Sequence, residues 1–261
     1  MPDLAGVTLM AVFAHPDDEA LACGGTLARA ADAGARVVLV SASRGELGSV
    51  SDPALVQGKD LGNVRAAEME ASAAVLGARQ VHVLDHPDGS LRWADALDVD
   101  LAALLARHRP AAVITFDADG LYWHGDHIGV HERVSAAVLV LADAAPALYY
   151  ATLAHGAIRA LVDATHARGA VGAEAGLWGI SPDAFGVATP TPTFRVDVRA
   201  QVGRKLAALR CHRTQFGPAS LFVLVDDDHA RLRLGFELFR RAPGGSAPDV
   251  LEALGEPLEA A

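Results

Sequence analysis

Cysteine is scarce in this chain, with only Cys23 and Cys211 among 261 residues. Two cysteines build no disulfide framework, and the first residues do not read as a secretory signal, so a reducing, cytoplasmic setting is the expectation. Positive charge is short as well: 22 Lys and Arg stand against 32 Asp and Glu, for a net charge of −10. That balance disfavours nucleic acid and anionic membrane surfaces as partners. No clean membrane span is present either. Residues 134–154 are almost wholly apolar, but Asp143 and Pro146 interrupt them. They read as a buried helix, a turn and a strand rather than a span. Internal repeats are absent, and the turn after the first apolar run has no G-x-G-x-x-G fingerprint. Its carboxylates would repel a pyrophosphate, which argues against a nucleotide-binding module.

What is there is ample apolar material, 51% of residues, in runs that alternate between two periods. Strand-like runs fall at 8–14, 36–43, 80–84, 111–116 and 147–153. Helical patterns fall at 19–33, 63–76 with Asn63 as cap, 98–107 and 128–141. The run Val37-Val38-Leu39-Val40 is continuous, as in a parallel strand covered on both faces. Alternation of this kind predicts an α/β fold: a Rossmann-like three-layer αβα sandwich with a mostly parallel central sheet, order about 3-2-1-4-5. Beyond residue 154 the pattern weakens. Residues 156–178 read as partly helical, 179–192 as loop, 193–198 as a strand, 199–212 as a helix and 221–225 as a strand. Residues 231–241 are ambiguous. One domain over 1–241, with a loosely held tail at 242–261, is the expected organisation.

The chain is organised around Ala14-His15-Pro16-Asp17-Asp18-Glu19. One imidazole and three carboxylates occupy a strand-to-helix turn, at the carboxyl edge where open α/β sheets bind ligands. Acidic residues there could simply favour a helix dipole. A His and a Pro in the same turn argue for more, because crowded carboxylates resist burial unless a cation or hydrogen bonds compensate. A divalent metal is the simplest compensation, and His and Asp ligands suit Zn²⁺. A second cluster, His124-Gly125-Asp126-His127, follows the fourth strand. In a sheet of order 3-2-1-4-5, strands one and four are neighbours, and their loops flank the topological switch point. Both clusters therefore point to one place.

These motifs resemble the LmbE/PIG-L-like zinc-dependent N-deacetylases, a family that includes mycothiol- and bacillithiol-pathway enzymes. The resemblance extends to Arg44-Gly45-Glu46-Leu47-Gly48, to 63–68 with Arg65, and to 205–215, covering residues 8–216. Gly125 departs from the pattern, since many members carry Pro there. The resemblance implies that His15, Asp18 and His127 hold Zn²⁺, other divalent ions being able to replace it. It implies that Asp17 is the base that deprotonates a zinc-bound water, that His124 stabilises the oxyanion or donates a proton, and that Asp126 orients His124. Tyr122 would reach the same oxygen. Glu46, Arg65 and Asp88 would bind substrate hydroxyls.

The expected activity is removal of an N-acetyl group from a glucosamine-type sugar. Its partner would be a small amino-sugar substrate, and self-association is left open. An amidase acting on a thiol conjugate or another amide is the nearest alternative, and a non-catalytic sugar-binding homologue is the alternative from another class. His131, one helical turn beyond His127, reads as a supporting or helix-surface residue. His212 reads equally as a packed or capping residue. Trp93, Trp123 and Trp178 read equally as core residues or sugar platforms. Substrate specificity is expected to reside in residues 155–192.

Overall fold

Every residue of Val37-Val38-Leu39-Val40 is buried, as a strand covered on both faces requires. In the computed structural model this run forms β2 (Arg36–Ser41), which pairs in parallel with β1 (Thr8–Phe13). The structure describes residues 2–170, 177–186, 192–243, 250–251 and 253–258. β1 also pairs in parallel with β4 (Ala112–Phe116), and β2 with β3 (Gln80–Val83). β5 (Ala147–Thr152) continues the parallel set beside β4. The order 3-2-1-4-5 expected from the alternating pattern is therefore present.

The crossovers between parallel strands carry the helices, which fall into two packed groups. α1 (Asp18–Asp32) and α2 (Leu61–Leu76) pack with the later helix α7 (Val202–Cys211). α3 (Asp95–His108) packs with α5 (Gly125–Leu139) on the other side. Between β4 and α5 lies a short helical turn, α4 (Gly120–Trp123). α6 (Ala157–Ala167) follows β5. α2 is capped not by Asn63 but by Asp60, whose carboxylate accepts the Asn63 amide at 2.9 Å. The Asn63 side chain instead accepts from Arg44. Gly77, at φ 83°, ends the helix in the left-handed conformation that glycine adopts without strain.

The second half departs further from the expectations. Leu221–Val225 was expected as a strand; Leu221–Leu224 is instead the short helix α8. A short apolar run fits a buried helix and a strand equally well. Here the amides of Val223 and Leu224 both bond back to the Ser220 carbonyl. α9 (Asp227–Leu234) and β7 (Phe236–Arg241) resolve the ambiguous stretch. β7 adds antiparallel to β5, β6 (Phe194–Asp197) adds to β7, and β8 (Glu256–Pro257) adds to β6. Among the described residues after Ala242, Val250, Leu251 and Leu254 are buried, and β8 is the edge strand beside β6. Their apolar side chains are too sparse among Gly and Pro to show a period. Of residues 155–192, 171–176 and 187–191 lie outside the described residues. No described helix is long and apolar enough to cross a membrane.

Candidate metal centre and active site

β1 delivers the first cluster and β4 the second, because the two strands are neighbours. Phe13 and Phe116, at their carboxyl ends, meet edge to face with centroids 4.8 Å apart. The His127 ring then lies flat on Phe116, at 4.1 Å and 6°. Between β1 and α1, Asp17 sits at φ 126° and ψ −27°, a conformation that a side-chain-bearing residue adopts only under constraint. The constraint is visible. The Asp17 amide donates to Glu19 Oε2 at 3.0 Å, and Arg65 Nη2 donates to the Pro16 carbonyl at 2.8 Å and to Asp17 Oδ2 at 3.2 Å.

Three nearby groups present acceptor atoms to one point. His15 Nδ1 lies 3.5 Å from Asp18 Oδ2 and 3.3 Å from His127 Nε2, which lies 3.3 Å from Asp18 Oδ1. Atoms bonded at about 2.0–2.1 Å to one tetrahedral ion lie about 3.3–3.4 Å apart, as His127 Nε2 does from His15 Nδ1 and from Asp18 Oδ1, while Asp18 Oδ2 is held by the His15 amide at 2.8 Å. Hydrogen bonds fix both tautomers accordingly. His127 Nδ1 donates to the Gly120 carbonyl at 3.0 Å, which leaves a lone pair on Nε2. His15 Nε2 donates to Asp88 Oδ1 at 3.0 Å and Asp126 Oδ2 at 3.3 Å, which leaves one on Nδ1. Carboxylates behind a ligating imidazole orient the ring and raise its basicity.

The electrostatics agree for Asp18 and His127. At His15, burial is outweighed by the hydrogen bonds to Asp126, Asp18 and Asp88, which raise its pKa well above the ordinary value, so a cation would have to displace the Nδ1 proton. Burial opposes the charge on Asp18, but the neighbouring His127 and His15 outweigh it and hold Asp18 at about 2. Burial, against the pull of Asp18, pushes His127 down to about 3, so its ring is neutral at pH 7. For Asp17, burial dominates and raises the carboxyl to about 7, with the Arg65 guanidinium pulling it back. A carboxylate poised near neutrality suits a general base.

Each expected site residue has a definite place. His124 is half-buried, its ring 5.1 Å from that of His15. Its Nδ1 accepts the Asp126 amide at 3.2 Å, so the neutral ring carries its proton on Nε2. Asp126 does not orient His124 with its carboxylate, as was expected. That carboxylate holds His15 and accepts the amides of Gly89 at 2.7 Å and Leu91 at 3.0 Å. Asp88 lines the pocket, but its oxygens are taken by His15 and, at 2.9 Å, by the Leu47 amide. Glu46 accepts the Asp88 amide at 2.9 Å and is exposed, outside the pocket lining. Arg65 is buried against Asp17 and also donates to the Gly45 carbonyl at 2.8 Å. The loop turns and the α2 crossover dictate these contacts, which residue spacing does not reveal. Tyr122 faces the pocket, and burial, then Asp18 and Asp17, raise its phenol pKa well above the ordinary value. His131 donates to the Phe116 carbonyl at 2.9 Å.

Several contacts of the site escaped the sequence reading. Glu19 Oε1 accepts from Ser72 Oγ at 2.6 Å and His212 Nε2 at 2.9 Å, so a buried network stands behind Asp17. Glu19 ends the first motif and His212 lies in the last, but nothing in their spacing joins them. Trp178, Ile180 and Gln215 line the pocket from stretches with no periodic pattern. The pocket encloses about 400 Å³. A larger depression of about 690 Å³ between α3 and α5 is mainly apolar and holds none of these residues.

Comparison with known proteins agrees with this geometry. Residues 10–138 match the family model "PIG-L: GlcNAc-PI de-N-acetylase". A 1D-myo-inositol 2-acetamido-2-deoxy-alpha-D-glucopyranoside deacetylase of Acidothermus cellulolyticus is 31% identical over 92% of this chain and 90% of its own. The enzyme of the same name from Nakamurella multipartita is 33% identical, again over 92% and 90%. Among solved structures, N,N'-diacetylchitobiose deacetylase of Pyrococcus horikoshii superposes with a TM-score of 0.61 at 24% identity, covering 91% of this chain and 84% of that one. GalB, a 4-carboxy-2-hydroxymuconate hydratase of Pseudomonas putida, superposes equally well, with a TM-score of 0.62 at 19% identity, covering 94% and 99%. At those identities the structural likeness establishes the fold, and it is the sequence relatives, aligned over almost their whole length, that place this chain in the PIG-L family.

Proposed function

We propose that the protein is a zinc-dependent hydrolase that removes the N-acetyl group from an N-acetylglucosamine-type sugar. The observation that carries this reading is the convergence of His15 Nδ1, Asp18 and His127 Nε2, beside an Asp17 carboxyl raised to about 7. The relatives named for deacetylating a glucosamine–inositol support an amino sugar as substrate.

His15, Asp18 and His127 would hold the ion. When bound, it supplies Lewis acidity and lowers the pKa of water at the site to around 7. Asp17 takes the proton from the attacking water onto its carboxylate. The Arg65 and Glu19 contacts keep that carboxylate aimed into the pocket. His124 Nε2–H donates to the acetyl oxygen as negative charge builds there, and the Tyr122 hydroxyl, kept protonated by burial, is a second donor. Asp17 then returns its proton to the departing nitrogen, so the products are acetate and a free amine.

Acetate release from a panel of N-acetylated amino sugars tests the reading. Release that stops on chelation and returns with added zinc is the expected result. No release from any member by metal-loaded protein would overturn it.

A further inference from the structure

The last matched motif, residues 205–215, takes no part in the steps of the reaction. Within it, His212 follows α7 and is wholly buried. Its Nε2 donates to Glu19 Oε1 at 2.9 Å, and Ser72 Oγ, from α2, donates to the same oxygen at 2.6 Å. The other oxygen, Glu19 Oε2, accepts the amide of Asp17 at 3.0 Å. An ionised carboxylate only accepts, so Glu19 gathers donors from three separate segments.

The Asp17 amide is no ordinary one. At φ 126° and ψ −27°, Asp17 holds a conformation that persists only where its surroundings over-determine it. The Pro16 carbonyl and the Asp17 N–H belong to one peptide group. Arg65 Nη2 donates to the carbonyl at 2.8 Å, and Glu19 accepts from the N–H. That peptide plane is therefore gripped at both ends, and its rotation decides where the Asp17 side chain points. Glu19 can grip only while its own rotamer is fixed, and Ser72 and His212 fix it. His212 Nδ1 is buried without a partner, so the bond to Glu19 is the one hydrogen bond of its ring. Two residues on, Thr214 donates its amide and its hydroxyl to Glu68 of α2, at 2.8 and 2.6 Å, which pins the segment in place.

We propose that His212 is a positioning residue for the base: through Glu19 it locks the Pro16–Asp17 peptide and so fixes the aim of the Asp17 carboxylate. This rests on the deacetylase reading.

The test measures acetate release by the metal-loaded chain on the N-acetylated amino sugar that the parent cleaves fastest. His212→Leu should lower kcat by about 10–100-fold, the order that a misplaced reacting group costs, with KM and zinc content unchanged. His212→Gln presents an N–H near the place of Nε2 and should restore most of kcat. Because His212 acts through Asp17, His212→Leu should cost less than about twofold in an Asp17→Asn background, as residues that act as a unit are not additive. If His212→Leu does not fold, Ser72→Ala removes the other donor to Glu19 Oε1 and should show the same dependence on Asp17 with a smaller loss. An unchanged kcat in the folded variant, a loss confined to KM, a Gln variant as slow as the Leu variant, or equal losses with and without Asp17 would overturn the positioning role and leave the deacetylase intact. No acetate from the parent on any sugar would remove both readings.

Discussion

Arg65 Nη2 lies 3.2 Å from Asp17 Oδ2, in a fully buried pair that joins α2 to the turn after β1. The guanidinium is the largest influence opposing the burial that raises the Asp17 carboxyl to about 7. Removing it should raise that pKa further. Activity needs the carboxylate, so it falls as pH drops through the pKa, and Arg65→Met should move the acid limb of the kcat/KM profile to higher pH. A profile recorded between pH 5 and 9 decides this, and an unmoved limb would detach Arg65 from Asp17.

Asp17 and Asp18 are chemically identical, but their surroundings separate them. Asp17→Asn should retain its metal and lose about 10²–10⁴-fold in rate, the usual worth of a general base. Asp18→Asn should lose the metal itself, with partial rescue by added zinc. Metal content and acetate release, measured on both variants, check the assignment. The opposite pattern would exchange the two roles.

Asp88 was expected to act on substrate, yet its carboxylate orients His15. Asp88→Ala should therefore weaken metal binding by about 10–100-fold, as loss of an orienting carboxylate does. Titration against a competing chelator would show it, and an unchanged affinity would return Asp88 to a purely substrate-facing role.

Lys205 Nζ and Glu237 Oε1 lie 2.6 Å apart with side chains 1% and 2% exposed. Removing one partner of a buried pair costs about 3–5 kcal/mol, because the other charge is stranded. Lys205→Met should lower the urea midpoint accordingly. The double variant Lys205→Met/Glu237→Gln should recover most of the loss. A single variant as stable as the parent would show that Glu237 is satisfied by the amides of Gly25 and Thr26 alone.

The parallel half of the fold was legible because a strand covered on both faces writes itself as an unbroken apolar run, as Val37–Val40 does. The meeting of His15 with His127 was legible because both follow strands whose adjacency the topology dictates. The hydrogen-bond partners of Asp126 were not legible because they depend on where the loop carrying Gly89 and Leu91 passes, and spacing within its own motif is silent on that. Trp178 was left between a core residue and a sugar platform. Its position is decided by a left-handed backbone inside a stretch with no period. Of the antiparallel strands, β6 was legible at 193–198, where Phe194, Arg195, Val196 and Asp197 alternate, whereas β7 was ambiguous because Glu237 and Arg240 interrupt its apolar residues and β8 spans only Glu256–Pro257.

α1 is broken at Cys23, whose φ of −149° and ψ of 24° leave the helical range, and Glu237 accepts the amides of Gly25 and Thr26 just beyond the break. Those amides would otherwise continue the hydrogen-bond ladder from the first turn. The turn bearing Asp18 and the remainder of the helix are thus two rods meeting at a joint, each anchored separately. The far rod is held by Arg29 on the Asp197 carbonyl and by Asp32 on Arg204. The turn bearing Asp18 takes its position from β1 and Arg65 instead, so the two ends of one helix are fixed by different parts of the fold.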